Sequence, residues 1–377
     1  MLTQRIVDFL KTRRPEGPCL VVDLDVVREN YLEFERVLPQ SRIFYAVKAN
    51  PAPEVLRLLA SLGSCFDTAS VAEIEMALEA GAAPERISYG NTIKKERDIT
   101  RAYALGISLY AVDCIEEVEK IARAAPGARV FCRVLTDGAG AEWPLSRKFG
   151  CVPEMAVDVL RHASKLGLEA YGVSFHIGSQ QTDLAAWDRA LADAASVFKT
   201  MAWEGIPLKM VNMGGGFPTR YLKDVPTAQA YGMAIFDALS RHFGNRIPET
   251  IIEPGRGMVG NAGVIRTEVV LVSQKSADDN VRWVYLDIGK FNGLAETMDE
   301  AIRYPIVTPH DGDDTGPCVL AGPTCDSADI MYENTPYHLP VSLSIGDELF
   351  ILGTGAYTTT YASVAFNGFE PLRSYVI

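Results

Sequence analysis

The chain has 377 residues, 48% hydrophobic and 22% charged, a balance that excludes a disordered or fibrous polymer and leaves room for about two to three domains at roughly 150 residues each. No run reaches the roughly 18 apolar residues that a membrane-spanning helix requires. With 36 Lys and Arg against 48 Asp and Glu, a net charge of -12 and no basic cluster, the sequence argues against a nucleic-acid partner and suits a cationic small molecule.

The first residues, Met1 to Leu10, lack an uninterrupted apolar stretch, so no secretory signal is read and the cytoplasm is the expected location. Cys19–Val22 is a short β-rich run that either joins a later sheet or leads into the next strand-and-helix region. From about Ser41 to Pro254, β-rich runs at 43–47, 64–66, 87–89, 108–112, 130–135, 172–176, 210–213 and 250–253 alternate with amphipathic segments. Those at 53–62, 70–80, 95–105, 115–124, 153–166 and 184–203 carry apolar residues at helical spacing, and Ser70 followed by Glu73 is a capping signal. Eight strands alternating with helices predict a parallel β/α architecture, and eight is the number that closes a barrel. Beyond Pro254 the runs 264–273, 281–286, 318–321, 348–352 and 374–377 read as strands separated by Gly, Pro and Asp turns, which predicts a mostly β second domain. The seven cysteines are scattered with no CxxC pair, so neither a disulfide framework nor a zinc cage is read.

Barrel enzymes carry their chemistry just past the C-terminal ends of the strands. Lys48, Asp67, Gly90-Asn91, Asp113, the segment from Arg133 to Asp137, His176, Gly214-Gly215-Gly216 and Glu253 end the eight runs, although polar loop ends alone would supply part of such a set. Lys48 follows Phe44-Tyr45-Ala46-Val47. At the end of a buried strand, desolvation would make its amine the nucleophile that a Schiff base requires; the alternative is a rim lysine in solvent. The three glycines either let the backbone approach an anion or make a tight turn. Glu253 could face a cofactor ring nitrogen, and Arg256 a phosphate. Gly255, Gly257 and Gly260 match the GxGxxG dinucleotide fingerprint, but a strand-like segment comes next where that motif needs a helix. His176 is either a core histidine or a ring stacked on a flat cofactor, with Ser179 near its phosphate; no second His or Cys lies at metal-ligand spacing, so no metal is expected. Cys325, beside Asp326 in a Gly-Pro turn, is either reactive or an inert free thiol.

The segments Tyr45-Ala46-Val47-Lys48-Ala49-Asn50, Phe66-Asp67-Thr68-Ala69-Ser70 with Glu73, Arg147-Lys148-Phe149-Gly150, Ser174 to Ser179, Gly214-Gly215-Gly216-Phe217-Pro218, Glu253 to Arg256, Gly322 to Asp329, Gly355-Ala356-Tyr357 and Phe366-Asn367-Gly368-Phe369 stand in one order along almost the whole chain. Together they resemble the alanine-racemase-fold pyridoxal-phosphate decarboxylases, which act on ornithine, diaminopimelate, arginine and lysine. The resemblance implies a (β/α)8 barrel over residues 23–260 that binds pyridoxal 5'-phosphate, and a β domain over 261–377 completed by residues 1–22. It implies Lys48 as the Schiff-base lysine, Glu253 on the pyridine nitrogen and His176 on the ring. Ser179, Gly215, Gly216, Arg256 and Tyr357 would hold the phosphate, while Asp67, Glu73 and Arg133 support the ring and Lys48. Family enzymes share sites across a homodimer, so Cys325, the proton donor, and Asp326, which grips the distal ammonium, would come from the other subunit. Lys148 and Asp329 match a salt bridge across that interface.

The implied reaction is decarboxylation of L-ornithine to putrescine and CO2, a step in polyamine biosynthesis. Asp326 and Phe366 resemble the ornithine type, whereas His176-Ile177-Gly178-Ser179-Gln180 is closer to the diaminopimelate type. Glu296 stands near where ornithine enzymes place a pocket aspartate, which leaves lysine, giving cadaverine, open as a substrate. The alternatives are a diaminopimelate decarboxylase, a racemase of the same fold, and a non-catalytic homologue. A racemase usually pairs the ring nitrogen with arginine, and a non-catalytic homologue usually loses cofactor-binding groups; Glu253, Lys48, Cys325 and Asp326 are all present here.

Overall fold

The computed structural model describes residues 1–143 and 147–377, apart from the Trp143 side chain. The chain divides into two compact units, one formed by Arg28–Pro218 and Val225–Met258, the other by Met1–Val27, Thr219–Asp224 and Val259–Ile377.

The first unit is a closed barrel of eight parallel strands: β1 (Ser41–Ala46), β2 (Cys65–Thr68), β3 (Ile87–Tyr89), β4 (Leu109–Val112), β5 (Arg129–Arg133), β6 (Glu169–Ser174), β7 (Met210–Asn212) and β8 (Glu249–Ile252). These are the eight runs predicted from the sequence, and β8 closes on β1 through Thr250↔Ser41 to Ile252↔Ile43. Phe44, Cys65, Leu109, Ala111, Phe131, Met210 and Ile251 point inward from six strands and fill the barrel as a packed core. Helices such as Pro53–Ser61, Val71–Glu79 and Ile115–Ala124 come after individual strands, each burying its apolar face. Because every strand is parallel to its neighbours, all eight C-terminal ends emerge at one rim.

The second unit is built on the long strand Gly263–Ser273. Its first half pairs with Cys19–Val22 and with Glu348–Leu352, its second half with Arg282–Leu286, and the register shifts between Val269 and Leu271. Cys19–Val22 therefore joins this sheet, where it also pairs in parallel with Arg373–Val376. The helix Gln4–Arg13, capped by Thr3, lays Ile6 and Leu10 on Cys19, Val21 and Val264. The strand Ile330–Pro340, which pairs with Thr315–Ala321, is an element the sequence reading did not find; its Glu333-Asn334-Thr335-Pro336 centre reads as a turn. A single helical turn, Arg256–Val259, precedes Gly263–Ser273, so the GxGxxG match does not open a dinucleotide-binding helix.

Candidate active site

Of the two readings of Lys48, the structure fits the rim lysine: strand β1 stops at Ala46, and the lysine stands exposed on the one-turn 3-10 helix Val47–Ala49. Its surroundings are electrostatic: its ammonium acts on Asp67, Glu73, Glu253 and His176.

Each of these four is held by a hydrogen-bond donor from a neighbouring strand end or loop. Asp67 lies buried in β2 and accepts a hydrogen bond from Ser88 Oγ at 3.3 Å. Gly90 is required beside it, because a Cβ there would meet Asp67 Oδ1 at 1.9 Å. Glu73 sits in the first turn of Val71–Glu79: its N–H donates to Ser70 Oγ at 3.3 Å, and its carboxylate accepts from Ala69 N–H at 2.6 Å. The predicted capping pair thus also fixes a carboxylate at the rim. Glu253 lies just past β8 and accepts a hydrogen bond from the Asn212 side-chain amide. Asn212 is buried at the end of β7, and its Oδ1 accepts from Gly214 N–H at 2.9 Å. Sequence reasoning passed over Asn212 because it sits inside an apolar run; a polar residue directly before Met213-Gly214 was the available signal.

His176 lies just past β6, and its Nδ1 accepts from Gly215 N–H at 3.3 Å. An accepting Nδ1 fixes the neutral ring with its proton on Nε2. Burial, then the nearby Arg133 and Lys48 cations, hold His176 well below the usual histidine value. Burial pushes the carboxylates the other way. Asp67 is raised well above the ordinary range by desolvation and next by the Glu253 charge, with Lys48 opposing. Glu73 and Glu253 are raised by desolvation, against Ala69 N–H in one case and Asn212 in the other. Three carboxyl groups and two cations, Lys48 and Arg133, therefore share a rim that favours retained protons.

The glycine loop has the close approaches a bound anion exploits. Gly214 and Gly216 have φ of 64° and 108°, and a Cβ on Gly215 or Gly216 would meet a backbone oxygen at 2.6 Å. The Gly215 N–H is turned to His176, so a phosphate bond from Gly215 requires that contact to be exchanged. Arg256 is buried, and its Nε and Nη2 each lie 3.2 Å from Ser179 Oγ. A buried guanidinium beside a hydroxyl, at the loops after β6, β7 and β8, is a donor set for phosphate.

The family model for the pyridoxal-binding domain of the pyridoxal-dependent decarboxylases matches residues 24–260. The lysine/ornithine decarboxylase of Selenomonas ruminantium is 35% identical over 98% of this chain and 91% of its own length. The chain belongs to the pyridoxal-dependent decarboxylase family. The crystal structure of SrLDC in complex with PLP and cadaverine superposes with a TM-score of 0.89 at 34% identity, covering 100% of this chain and 94% of that one. The antizyme inhibitor 2 of Xenopus laevis is 34% identical over 98% of this chain and 83% of its own length. The decarboxylase is a carboxy-lyase whose cofactor is pyridoxal phosphate, and the rim fits that cofactor. An amine, a flat neutral imidazole, a backbone-held carboxylate and a buried phosphate-type donor pair all belong to one barrel end.

The remaining candidates lie in the sheet unit. Cys325 and Asp326 are exposed on the loop after Thr315–Ala321, with Asp326 Oδ1 accepting from Ala328 N–H at 2.8 Å. Asp329 is buried and accepts from Lys290 N–H, Thr324 N–H and Thr324 Oγ at 2.8, 3.1 and 2.6 Å, which pins that loop from within. Glu296 is buried in the turn Ala295–Glu300. Phe366 packs on Phe291 at 5.4 Å, and Tyr357 is half-buried with φ 57°. Lys148, in the barrel unit, is exposed with its ammonium over the Phe149 ring. Among the described residues no group of three or more His, Cys, Asp or Glu is arranged to hold a metal, and no helix is long and apolar enough to cross a membrane.

Proposed function

We propose that the decarboxylase converts L-ornithine to putrescine and CO2, taking up one proton, with L-lysine to cadaverine as a second reaction of the same site. The carrying observation is Glu253, a carboxyl group held by Asn212 at the barrel rim, where a racemase of this fold would carry arginine. Names of relatives support the substrate class: lysine/ornithine decarboxylase in Selenomonas and ornithine decarboxylase in Nicotiana glutinosa. Pyridoxal phosphate, when bound, accepts the electron pair released as the carboxylate leaves as CO2.

The chain's own residues do the rest. Lys48 would hold the cofactor through its amine. Arg256, Ser179, Gly216, Gly215 and Tyr357 bind its phosphate. His176, neutral, would lie against the ring without adding a second positive charge. The Glu253 carboxylate, held by Asn212 and facing the Lys48 and Arg133 charges that favour its ionised form, would pair with a protonated ring nitrogen, while Asp67, Glu73 and Arg133 would balance the charge of Lys48. Asp326 grips the distal ammonium by a charge-assisted bond, Glu296 and Phe366 line the far end, and Cys325 delivers the proton to the α-carbon. In this reading two subunits pair as a homodimer and exchange Cys325 and Asp326. Lys148 would then face Asp329 across the boundary, adding a cation to a carboxylate that already accepts three bonds from its own unit.

The test is competition. Purified protein with cofactor receives equal ornithine, lysine, arginine and diaminopimelate, and the amines are quantified. Putrescine in excess over cadaverine is expected; cadaverine in excess would make lysine the preferred substrate. Lysine formed from diaminopimelate would overturn the weight placed on Asp326.

A further inference from the structure

We propose that Asn367 is a positioning residue for Cys325: its side-chain amide fixes the cysteine's backbone and so aims the thiol. The proposal rests on the reading of Cys325 as the proton donor.

The loop from Gly322 to Asp329 is pinned on one side only. The buried Asp329 carboxylate binds Thr324 twice, the Asp329 carbonyl accepts from Gly322 N–H at 2.8 Å, and Asp326 caps Ala328. None of these bonds reaches Cys325. The cysteine's N–H leaves the loop and donates to Asn367 Oδ1 at 2.8 Å, across 42 positions of sequence. Asn367 is itself held in a conformation that few side chains tolerate. Its φ is 52°, between Ala365 at 58° and Gly368 at 82°, and asparagine is among the residues that enter this left-handed region most readily. The turn is braced from outside: Ser363 N–H and Oγ both donate to the Phe291 carbonyl, at 2.7 and 2.9 Å, and the Phe366 ring packs on Phe291. Strain of this kind persists only where its surroundings impose it. An exposed amide–amide bond adds little to global stability; what it supplies here is the direction of one backbone bond beside an exposed thiol.

Direction matters because the proton has two destinations. Delivered to the substrate α-carbon, it gives the amine and regenerates the cofactor. Delivered to the cofactor's carbonyl carbon, it converts the amino acid and the cofactor aldehyde into CO2, a substrate-derived aldehyde and aminated cofactor, with no net water and no external oxidant. The aldehyde-to-amine ratio therefore reports where the proton went, independently of total turnover.

Holoenzyme of the native protein, Asn367→Gly, Asn367→Asp and Cys325→Ala is compared by hydrogen–deuterium exchange of the peptide containing Cys325 and by the aldehyde-to-amine ratio with ornithine. Glycine keeps the left-handed φ and removes the acceptor; aspartate keeps an acceptor. Asn367→Gly is expected to speed exchange at Cys325 about tenfold, the scale of one lost hydrogen bond, while exchange elsewhere is unchanged. Its aldehyde fraction should rise about fivefold or more, and Asn367→Asp should return both readouts toward native. Unchanged exchange, or faster exchange with an unchanged aldehyde fraction, would overturn the positioning role. If Cys325→Ala itself leaves the ratio unchanged, the proton-donor reading fails, whatever the Asn367 variants do.

Discussion

In the barrel, Asp67, Glu73, Glu253 and His176 are withdrawn from water, tied to Ser88, Ala69, Asn212 and Gly215, and shifted from their ordinary titration ranges by that burial. In the sheet unit, Cys325 and Asp326 stand exposed on a loop whose fixed points are Asp329 and Asn367. The difference is physical. Parallel strands converging on one rim bring together the backbone N–H groups, polar side chains and counter-charges that hold these ionisable residues. A loop at a sheet edge does not. In the proposed function an exposed thiol and carboxylate would need a covering surface to deliver a proton to carbon while water competes, and a second subunit would provide it.

The largest expected effect separates the two halves. Lys48→Ala should lower amine production by about four orders of magnitude and abolish the absorption of lysine-bound cofactor, the scale seen when one member of a catalytic unit is lost. Cys325→Ala should cut amine output by about 10²- to 10⁴-fold yet leave cofactor absorption intact and unfolding free energy within about 0.5 kcal/mol, because the side chain is exposed. Cofactor loss in both variants would erase the contrast.

Glu253→Gln comes next. It retains a partner for Asn212 but loses the charge proposed to pair with a protonated ring nitrogen, so kcat should fall about 10²- to 10³-fold with cofactor still bound. A change confined to KM would contradict that role.

The smallest effect is on stability. His176 is held neutral in the fold, well below the histidine value of 6.5, so below that pH the unfolded chain binds a proton that the folded chain does not. Stability drops as pH falls from about 7 toward the depressed folded value, by at most about 1.4 kcal/mol per pH unit, and levels off below it. The raised carboxyl groups act with the opposite sign, so the native protein is compared with His176→Gln by denaturant unfolding without cofactor. The native protein's advantage should shrink on acidification; a pH-independent difference would mean that the ring is not held neutral.

The barrel was legible because its strands are short apolar β-rich runs broken by amphipathic helical windows, and all eight were found with ends shifted by up to three residues. The largest shift falls at the start of β6, where the strand begins at Glu169. The apolar prelude of Lys48 left a buried strand end and a solvent rim open as readings; the chain turns at Val47 and releases the side chain. Asn212 was hidden by its apolar neighbours, since a single polar residue in a strand shows neither its burial nor its two partners. Asn367 appeared only as part of a motif; its tie to Cys325 joins residues 42 apart, and local pattern carries no trace of such a bond. Ile330–Pro340 was missed because its polar centre mimics a turn.

The proposed sharing of one site between two subunits is tested most directly by complementation. Lys48→Ala and Cys325→Ala proteins, each inactive for amine production, are mixed, and heterodimers are verified by differential tags. Each heterodimer then carries one site with both native residues, so an equal mixture should recover about a quarter of native amine production. Verified heterodimers that recover none would contradict a site shared between subunits.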